Sequence, residues 1–219
     1  MSPSSSADEQ IGRMEFLLNL RRRGITDPAV LRAMDEVPRE YFVNADYCDL
    51  AYSDQALPIA CGQSISQPYV VAFMTERLGL RVMHRVLEVG TGSGYQAAVL
   101  SRIVAHVVSV ERYRTLAEAA RVRLQTLGFN NVDIIAGDGL AGVPDQAPFD
   151  RIIVTAAAEE VPQALVNQLA KGGIMILPLG PHDGPQTLVK LTRTDDGIAR
   201  EDLIGVRFVP LLPGKAREL

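Results

Sequence analysis

The stretch Glu88-Val89-Gly90-Thr91-Gly92-Ser93-Gly94 stands where a buried strand hands over to a helix, and it limits the fold more than any other part of the chain. Before it, Arg85 to Val89 is a short, mostly apolar run suited to a strand covered on both faces. After it, Tyr95 to Val104 is rich in Ala, Leu and Val and has no helix breaker. This order predicts an α/β sheet, a fold that holds nucleotide-like ligands at its strand ends. Glycine permits positive φ, removes the Cβ that would block a ligand, and leaves N–H groups at the helix start facing inward.

The spacing narrows the choice of ligand. The glycines alternate as G-x-G-x-G, whereas the dinucleotide fingerprint is G-x-G-x-x-G, so Gly94 comes one place early for a pyrophosphate loop. Glu88, two residues ahead of Gly90, would repel a phosphate but suits the ammonium of an amino-acid group. The cofactor expected is therefore S-adenosyl-L-methionine rather than NAD, with Glu88, Gly90, Thr91, Gly92 and Gly94 at the turn. A tight turn with no ligand is the alternative for this motif alone. A second strand, His106 to Glu111, ends in an acid 17 residues after Gly94, about the offset at which a carboxylate accepts hydrogen bonds from ribose hydroxyls. A third, Val132 to Ala136, runs into Gly137-Asp138-Gly139, where Asp138 and Gly139 could meet an adenine amino group. Asx-turn chemistry would also place an Asp there.

Around this centre the pattern predicts helices over Glu9 to Arg23 and Asp27 to Val37, the second capped by Thr26 or Asp27 with Pro28 just inside. Pro38 to Gln67 reads as irregular. Pro68 to Leu78 follows as a helix, with Val70, Phe73, Met74 and Arg77 on the side that docks on the sheet. Helices over Tyr113 to Leu127 and Val161 to Ala170 alternate with strands over Phe149 to Val154 and Gly173 to Leu179. Strands over Thr187 to Thr194 and Leu203 to Val209, joined at Asp195-Asp196-Gly197, close the pattern as a hairpin. The fold class expected is α/β: a doubly wound, mostly parallel, seven-stranded Rossmann-like sheet of the class I methyltransferase kind, with N-terminal helices and a C-terminal antiparallel hairpin. Residues 1–8 are expected to form a disordered tail and 9–219 a single domain, divided into a helical and substrate-loop segment (9–80) and a cofactor core with hairpin (81–219).

A chain of 219 residues, 47% hydrophobic and 22% charged, can bury one large core. Its formal charge of -4 argues against a nucleic-acid or anionic-membrane surface, since both need a basic patch. Arg21-Arg22-Arg23 is the one basic run, read as complementing a helix C-terminus before Gly24. Cys48 and Cys61 are too few for a disulfide framework or a zinc site and are expected as reduced, structural thiols. No metal is expected, and His84, His106 and His182 are scattered singly. The start lacks the charge and apolar segment of a signal peptide and no stretch approaches about 18 apolar residues, so a cytoplasmic protein is expected; a monomer is expected as well.

The acceptor must be read outside the cofactor core, in Gly62-Gln63-Ser64-Ile65-Ser66-Gln67-Pro68. Hydroxyls beside a helix start could hold a carboxylate, although Ser66 or Gln67 could instead simply cap that helix. This segment, with DQALPI at Asp54 to Ile59, VLEVGTGSGYQAAVL at Val86 to Leu100, and then VVSVER, GDG, FDRIIVTAA and RFVPL, resembles the bacterial protein-L-isoaspartate (D-aspartate) O-methyltransferases. The likeness runs from about Gly12 to Leu211, and GQSISQP with the late Val-Pro-Leu is its most specific part.

What the resemblance implies is methyl transfer from S-adenosyl-L-methionine to the free carboxylate of L-isoaspartyl residues, and less efficiently D-aspartyl residues, in damaged proteins and peptides. It implies Ser66 as the active-site residue and Val209 beside the substrate main chain; the Ser66 hydroxyl, with backbone groups of Ser64 and Ile65, is then expected to hold the substrate carboxylate. It also implies Gly90, Gly92 and Gly94 for the cofactor turn, Glu111 for ribose, and Asp138 with Gly139 for adenine. Animal members have further polar cofactor contacts after the late Val-Pro-Leu. Here the chain continues Leu212-Pro213-Gly214, so no contact is carried beyond Val209. Two rivals differ in class: a methyltransferase acting on a small acid or one dedicated peptide, and a member that binds without turnover.

Overall fold

A computed structural model describes the backbone of residues 3–216, and the side chains from residue 12 onward. Helix α1 covers Pro3–Arg22 and α2 covers Pro28–Glu36. The first helix thus begins at Pro3 rather than Glu9, so the segment expected as a disordered tail is helical from Pro3; proline at the first helical position gives up no intrahelical hydrogen bond. Met1 and Ser2 lie outside the described residues. Asp27 caps α2 as expected, its carboxylate accepting from the N–H groups of Ala29 (2.7 Å) and Val30 (3.2 Å).

The segment read as irregular carries two 3-10 helices, Arg39–Phe42 and Ala45–Leu50, and a small antiparallel pair, β1 (Leu57–Pro58) with β2 (Ser64–Ile65). Helix α3 then spans Pro68–Arg77. Its buried side carries Val71, Phe73, Met74 and Thr75 rather than Val70 and Arg77, because α2 lies against it as well as the sheet. Its ends are fixed from outside. Asp54 accepts from Tyr69 N–H at 3.1 Å, and Arg151 donates to the carbonyls of Leu78 (2.6 Å) and Gly79 (3.2 Å), where a cation also complements the helix dipole.

The remaining elements are β3 (Arg85–Val89), α4 (Tyr95–Ser101), β4 (His106–Glu111), α5 (Arg114–Thr126), β5 (Val132–Ala136), β6 (Phe149–Val154), α6 (Gln163–Gln168), β7 (Leu169–Leu179), β8 (Gln186–Thr194) and β9 (Gly197–Val206). They form one seven-stranded sheet in the order β5-β4-β3-β6-β7-β8-β9. Strands β3 to β7 are parallel, and β8 runs antiparallel to both its neighbours. The winding direction reverses at β3, which lies between β4 and β6; such a switch point opens a crevice at the strand ends. Strand β7 starts four residues earlier than expected, kinking at Gly172 (φ +70°). Strand β9 is displaced toward its turn, so Val209 lies beyond it; as an exposed edge it needs no apolar alternation.

Each face of the sheet has its own core. Val86, Val107, Ile153 and Ile176 pack with Met34, Met74, Ala98 and Val99 of the N-terminal helices and α4, while Leu87, Val108, Ile152 and Leu177 pack with Leu165 and Val166 of α6. Full burial of each such aliphatic side chain contributes about 1.5–3 kcal/mol, enough for the pattern of alternate residues to fix which face of each strand meets which helix.

Candidate active site

The turn after β3 is shaped by its glycines. Gly90 has φ +98°, and a Cβ there would stand 2.4 Å from Thr155 Oγ1, so no other residue fits without moving Thr155. Gly92 donates its N–H to Glu111 Oε2 at 2.8 Å, and Tyr113 donates to Oε1 at 3.0 Å. The carboxylate at the end of β4 is thereby held by the turn after β3 and by the backbone that follows its own strand. Gly94 plays a different part from the one expected. It caps α4, and its missing Cβ leaves room for Ala120 (3.3 Å) and Leu124 (3.5 Å) of α5, away from the crevice wall.

Glu88 is also displaced from its expected place. Strand alternation turns it beneath α4 with no exposed surface, behind the turn, so it cannot meet an ammonium in the crevice directly. Its Oε2 accepts from Ser109 Oγ at 2.5 Å, Ser109 Oγ lies 2.6 Å from Thr91 Oγ1, and Oε1 has no partner among the described residues. Burial pushes the Glu88 carboxyl up to about 8, reinforced by the neighbouring Glu111 charge and only partly offset by the Ser109 bond. A neutral acid at this point holds Thr91 through Ser109 and brings no net charge.

The crevice is walled by Val89 to Ser93, by Glu111, Arg112 and Tyr113, and by Gly139, Thr155 and Ala156. Gly139 forms part of the floor; a Cβ there would lie 2.6 Å from Val89 Cγ1. Asp138 does not reach the wall, and its Oδ1 accepts from Leu140 N–H at 2.9 Å, the Asx-type turn that its sequence context also allowed. Across the top runs Val209 to Leu212, held by Ala157 N–H to Val209 O (2.8 Å) and Leu211 N–H to Ala157 O (2.7 Å). The wall thus extends past Val209, where sequence comparison carried no contact. Arg112, Tyr113 and Thr155 were missed too. Position next to Glu111 was the available signal for the first two, and Thr155 had none.

A second groove opens beside the first, between the start of α3 and the segment 205–209. Ser64, Ser66, Thr155 and Val209 line both. Ser64 is exposed on the β1–β2 pair, while Ile65 turns inward as a buried wall of the first crevice. The Ser66 carbonyl accepts from Arg39 Nη2 at 2.8 Å, and the Ser66 hydroxyl has no hydrogen-bond partner among the described residues. Simple capping by Ser66 or Gln67 is not what the structure has: Gln67 holds the cap position without a side-chain bond to the helix, and Asp54 supplies the contact instead. Arg23, read as a dipole-complementing cation, pairs with that same Asp54 and lies over the Tyr69 ring at 3.5 Å. Cys48 is exposed rather than structural, and Cys61 is half-buried at φ +58°.

These residues fit S-adenosyl-L-methionine: an anchored carboxylate at the second strand end for ribose, a glycine turn with no Cβ in the way, and a narrow floor at Gly139 beside Val89. The family model described as protein-L-isoaspartate(D-aspartate) O-methyltransferase matches residues 12–216. The chain belongs to that family. It is 61% identical over 208 residues to the protein-L-isoaspartate O-methyltransferase of Bradyrhizobium sp. (strain ORS 278), covering 94% of this chain and 96% of the relative. The corresponding enzyme of Parvibaculum lavamentivorans is 55% identical over the full length of both. Among solved structures, a Plasmodium falciparum chain assigned to the same family, in complex with S-adenosyl-L-homocysteine, superposes with a TM-score of 0.80 at 29% identity, covering 90% of this chain and 97% of that one.

The protein is accordingly a methyltransferase that draws its methyl group from S-adenosyl-L-methionine and acts on isoaspartyl residues of proteins, in the class I fold that its sequence predicts. Among the described residues no helix is long and apolar enough to cross a membrane, and no cluster of His, Cys, Asp and Glu could hold a metal ion.

Proposed function

We propose that repair methylation takes place where the two grooves meet, with Ser66 orienting the carboxylate of an L-isoaspartyl residue and, less efficiently, a D-aspartyl residue. The observation that carries this reading is that Ser64, Ser66, Thr155 and Val209 border both grooves, so a peptide in one and a methyl donor in the other share a single boundary.

S-adenosyl-L-methionine supplies an electrophilic methyl group on a sulfonium. The substrate carboxylate has an ordinary pKa near 4, is already ionised at neutral pH, and needs no base. Ser66 is therefore neither a covalent nucleophile nor a proton acceptor. Its hydroxyl, free of internal partners, donates to one carboxylate oxygen and leaves the other to attack, so that catalysis is mainly positioning. One donor suits this step better than several, because opposite charges cancel as the bond forms and strong solvation of the carboxylate would raise the barrier. Glu111 accepts from the ribose hydroxyls, Gly90, Thr91 and Gly92 border the cofactor, and Gly139 floors the adenine end.

Val209 supports main-chain recognition through its N–H, which has no partner among the described residues; its carbonyl already accepts from Ala157. Bonds to main chain carry no side-chain information, which suits an enzyme that must accept many damaged sequences. The ester produced closes without the enzyme to a succinimide, whose hydrolysis returns some normal aspartate. The reading is of a cytoplasmic monomer that engages neither nucleic acid nor membrane, consistent with the net charge of -4.

The test is methyl-labelled S-adenosyl-L-methionine with unrelated peptide pairs that differ only in an L-isoaspartyl or normal aspartyl linkage. Base-labile label on only the isoaspartyl partner of each pair is expected. Label confined to one peptide sequence would point to a dedicated substrate instead of repair.

A further inference from the structure

The peptide groove carries one charge. Its wall is otherwise uncharged, with polar side chains at Ser64, Ser66, Gln67, Thr155 and Gln186 among apolar residues, and Arg207 is the only charged residue that lines it. Arg207 is exposed, and no carboxylate pairs with it among the described residues. Of the acids on adjacent elements, Asp54 pairs with Arg23, Glu201 with Lys190 at 3.2 Å and Asp202 with Arg200 at 2.7 Å, while Asp183, in the loop before Pro185, makes no salt bridge to Arg207. A protein of net charge -4 thus keeps one uncompensated guanidinium on the surface where its substrate lies.

From this we infer that Arg207 sets a charge preference on the substrate: isoaspartyl peptides with a second carboxylate close to the damaged residue bind better than those with a cation there. The inference rests on the peptide occupying this groove, as proposed above. The second carboxylate cannot be the methyl-accepting one, which loses its charge in the reaction and belongs at Ser66. Arg207 lies two residues from Val209, at most about 7 Å of chain, so a guanidinium there reaches side chains within a few residues of the acceptor. Recognition through main chain elsewhere in the groove is blind to sequence, so this contact is where side-chain discrimination enters. A planar fork of donors matches a carboxylate of Asp, Glu or a nearby chain terminus.

The experiment uses the full chain at low ionic strength and three peptide series, each with one L-isoaspartyl residue and flanks of Glu, Gln or Lys placed on either side. The quantity read is the ratio of KM for the Lys series to KM for the Glu series. A ratio of about three to five is expected for the parent protein, the size of an exposed ion pair, falling toward one in high salt. Arg207→Gln should bring the ratio to one, Arg207→Glu should invert it, and Arg207→Lys should keep most of it. Each ratio is internal to one variant, so a loss of overall activity does not obscure it. A parent ratio of one, or a ratio unchanged in Arg207→Gln, overturns the inference while leaving repair methylation intact. Failure of the parent protein to methylate even the Gln series would remove the functional reading and this inference with it.

Discussion

Arg39 donates through Nη2 to the carbonyl of Ser66 at 2.8 Å, from a position with no exposed surface. Its Nε donates to Ala51 O at 2.7 Å and its guanidinium lies 4.6 Å over the Tyr95 ring, so one buried cation ties the loop before α2's partner helix α3 to the first turn of α4. Burial pulls its pKa down from the usual arginine range, and Tyr95, with smaller contributions from Tyr52 and Asp54, opposes that shift. The carbonyl of Ser66 is thus fixed, while its hydroxyl has no hydrogen-bond partner among the described residues.

Ser66→Ala should lower kcat by about tenfold or more, the usual worth of a hydrogen bond to a charged group, with little change in affinity for S-adenosyl-L-homocysteine. Steady-state kinetics and calorimetric titration of the product cofactor check this. Equal losses in both would mean that Ser66 shapes the cofactor crevice rather than the acceptor.

Arg39→Lys keeps the charge but loses the fork that reaches two carbonyls at once. A buried carbonyl left without its donor costs about 1–3 kcal/mol, so thermal unfolding should move to lower temperature. Below that transition kcat should fall while cofactor affinity holds, because the crevice contacts of Glu111 are untouched. A variant with full kcat and lower stability would confine Arg39 to folding.

Glu111→Ala acts on the other partner. It removes the acceptor of Gly92 N–H and Tyr113 N–H together with the proposed ribose contact, so cofactor affinity should drop by about tenfold to a hundredfold. Equilibrium binding of S-adenosyl-L-homocysteine measures it, and an affinity within a factor of about two of the parent would remove Glu111 from the cofactor site.

The parts of this site that were readable in the sequence are those set by backbone geometry. Gly90 and Gly92 at the end of β3, and Glu111 at the end of β4, follow from strand lengths and turn chemistry, and strands β3 to β8 emerge from apolar runs and glycine punctuation, whereas the exposed edge strand β9 has no such run to place it. Glu88 was legible as an acid but not as a buried one, because the covering of its strand face by α4 is a tertiary fact. Gly94 shows the same limit: a positive φ can be inferred locally, yet whether the absent Cβ faces a ligand or Ala120 depends on where α5 packs. Arg39 and Thr155 come from segments with no periodic signal of their own, so only the fold brings them to the site. The 3-10 turns of 39–50 were hidden for a related reason, since short turns have little hydrophobic period to read.

Gly139→Ala isolates a purely steric effect, for its φ is one that other residues adopt. A Cβ there falls 2.6 Å from Val89 Cγ1 and 3.4 Å from Leu211 Cδ1, on the crevice floor. Overpacking of this kind costs about 1–3 kcal/mol, and the displaced Val89 narrows the crevice. Stability should fall modestly and cofactor affinity should fall with it. Unchanged binding of S-adenosyl-L-homocysteine would show that the adenine end lies elsewhere.

Glu88 gives a prediction in pH. Its carboxyl is raised from 4.5 to about 8 by burial, so between those values the unfolded chain has lost the proton that the folded chain retains. The folded state then binds more protons, and stability falls as pH rises, by about 1.4 kcal/mol per pH unit for a single group. Below 4.5 both states are protonated and the contribution is complete; above about 8 both are ionised and it has been lost. Glu88→Gln, which copies the neutral form, should remove this slope. Denaturant unfolding across the interval from 4.5 to about 8 should show the variant gaining on the parent protein as pH increases. If the two curves stay parallel, the Glu88 carboxyl ionises as it would in water, and the chain from Glu88 through Ser109 to Thr91 ends in a charge after all.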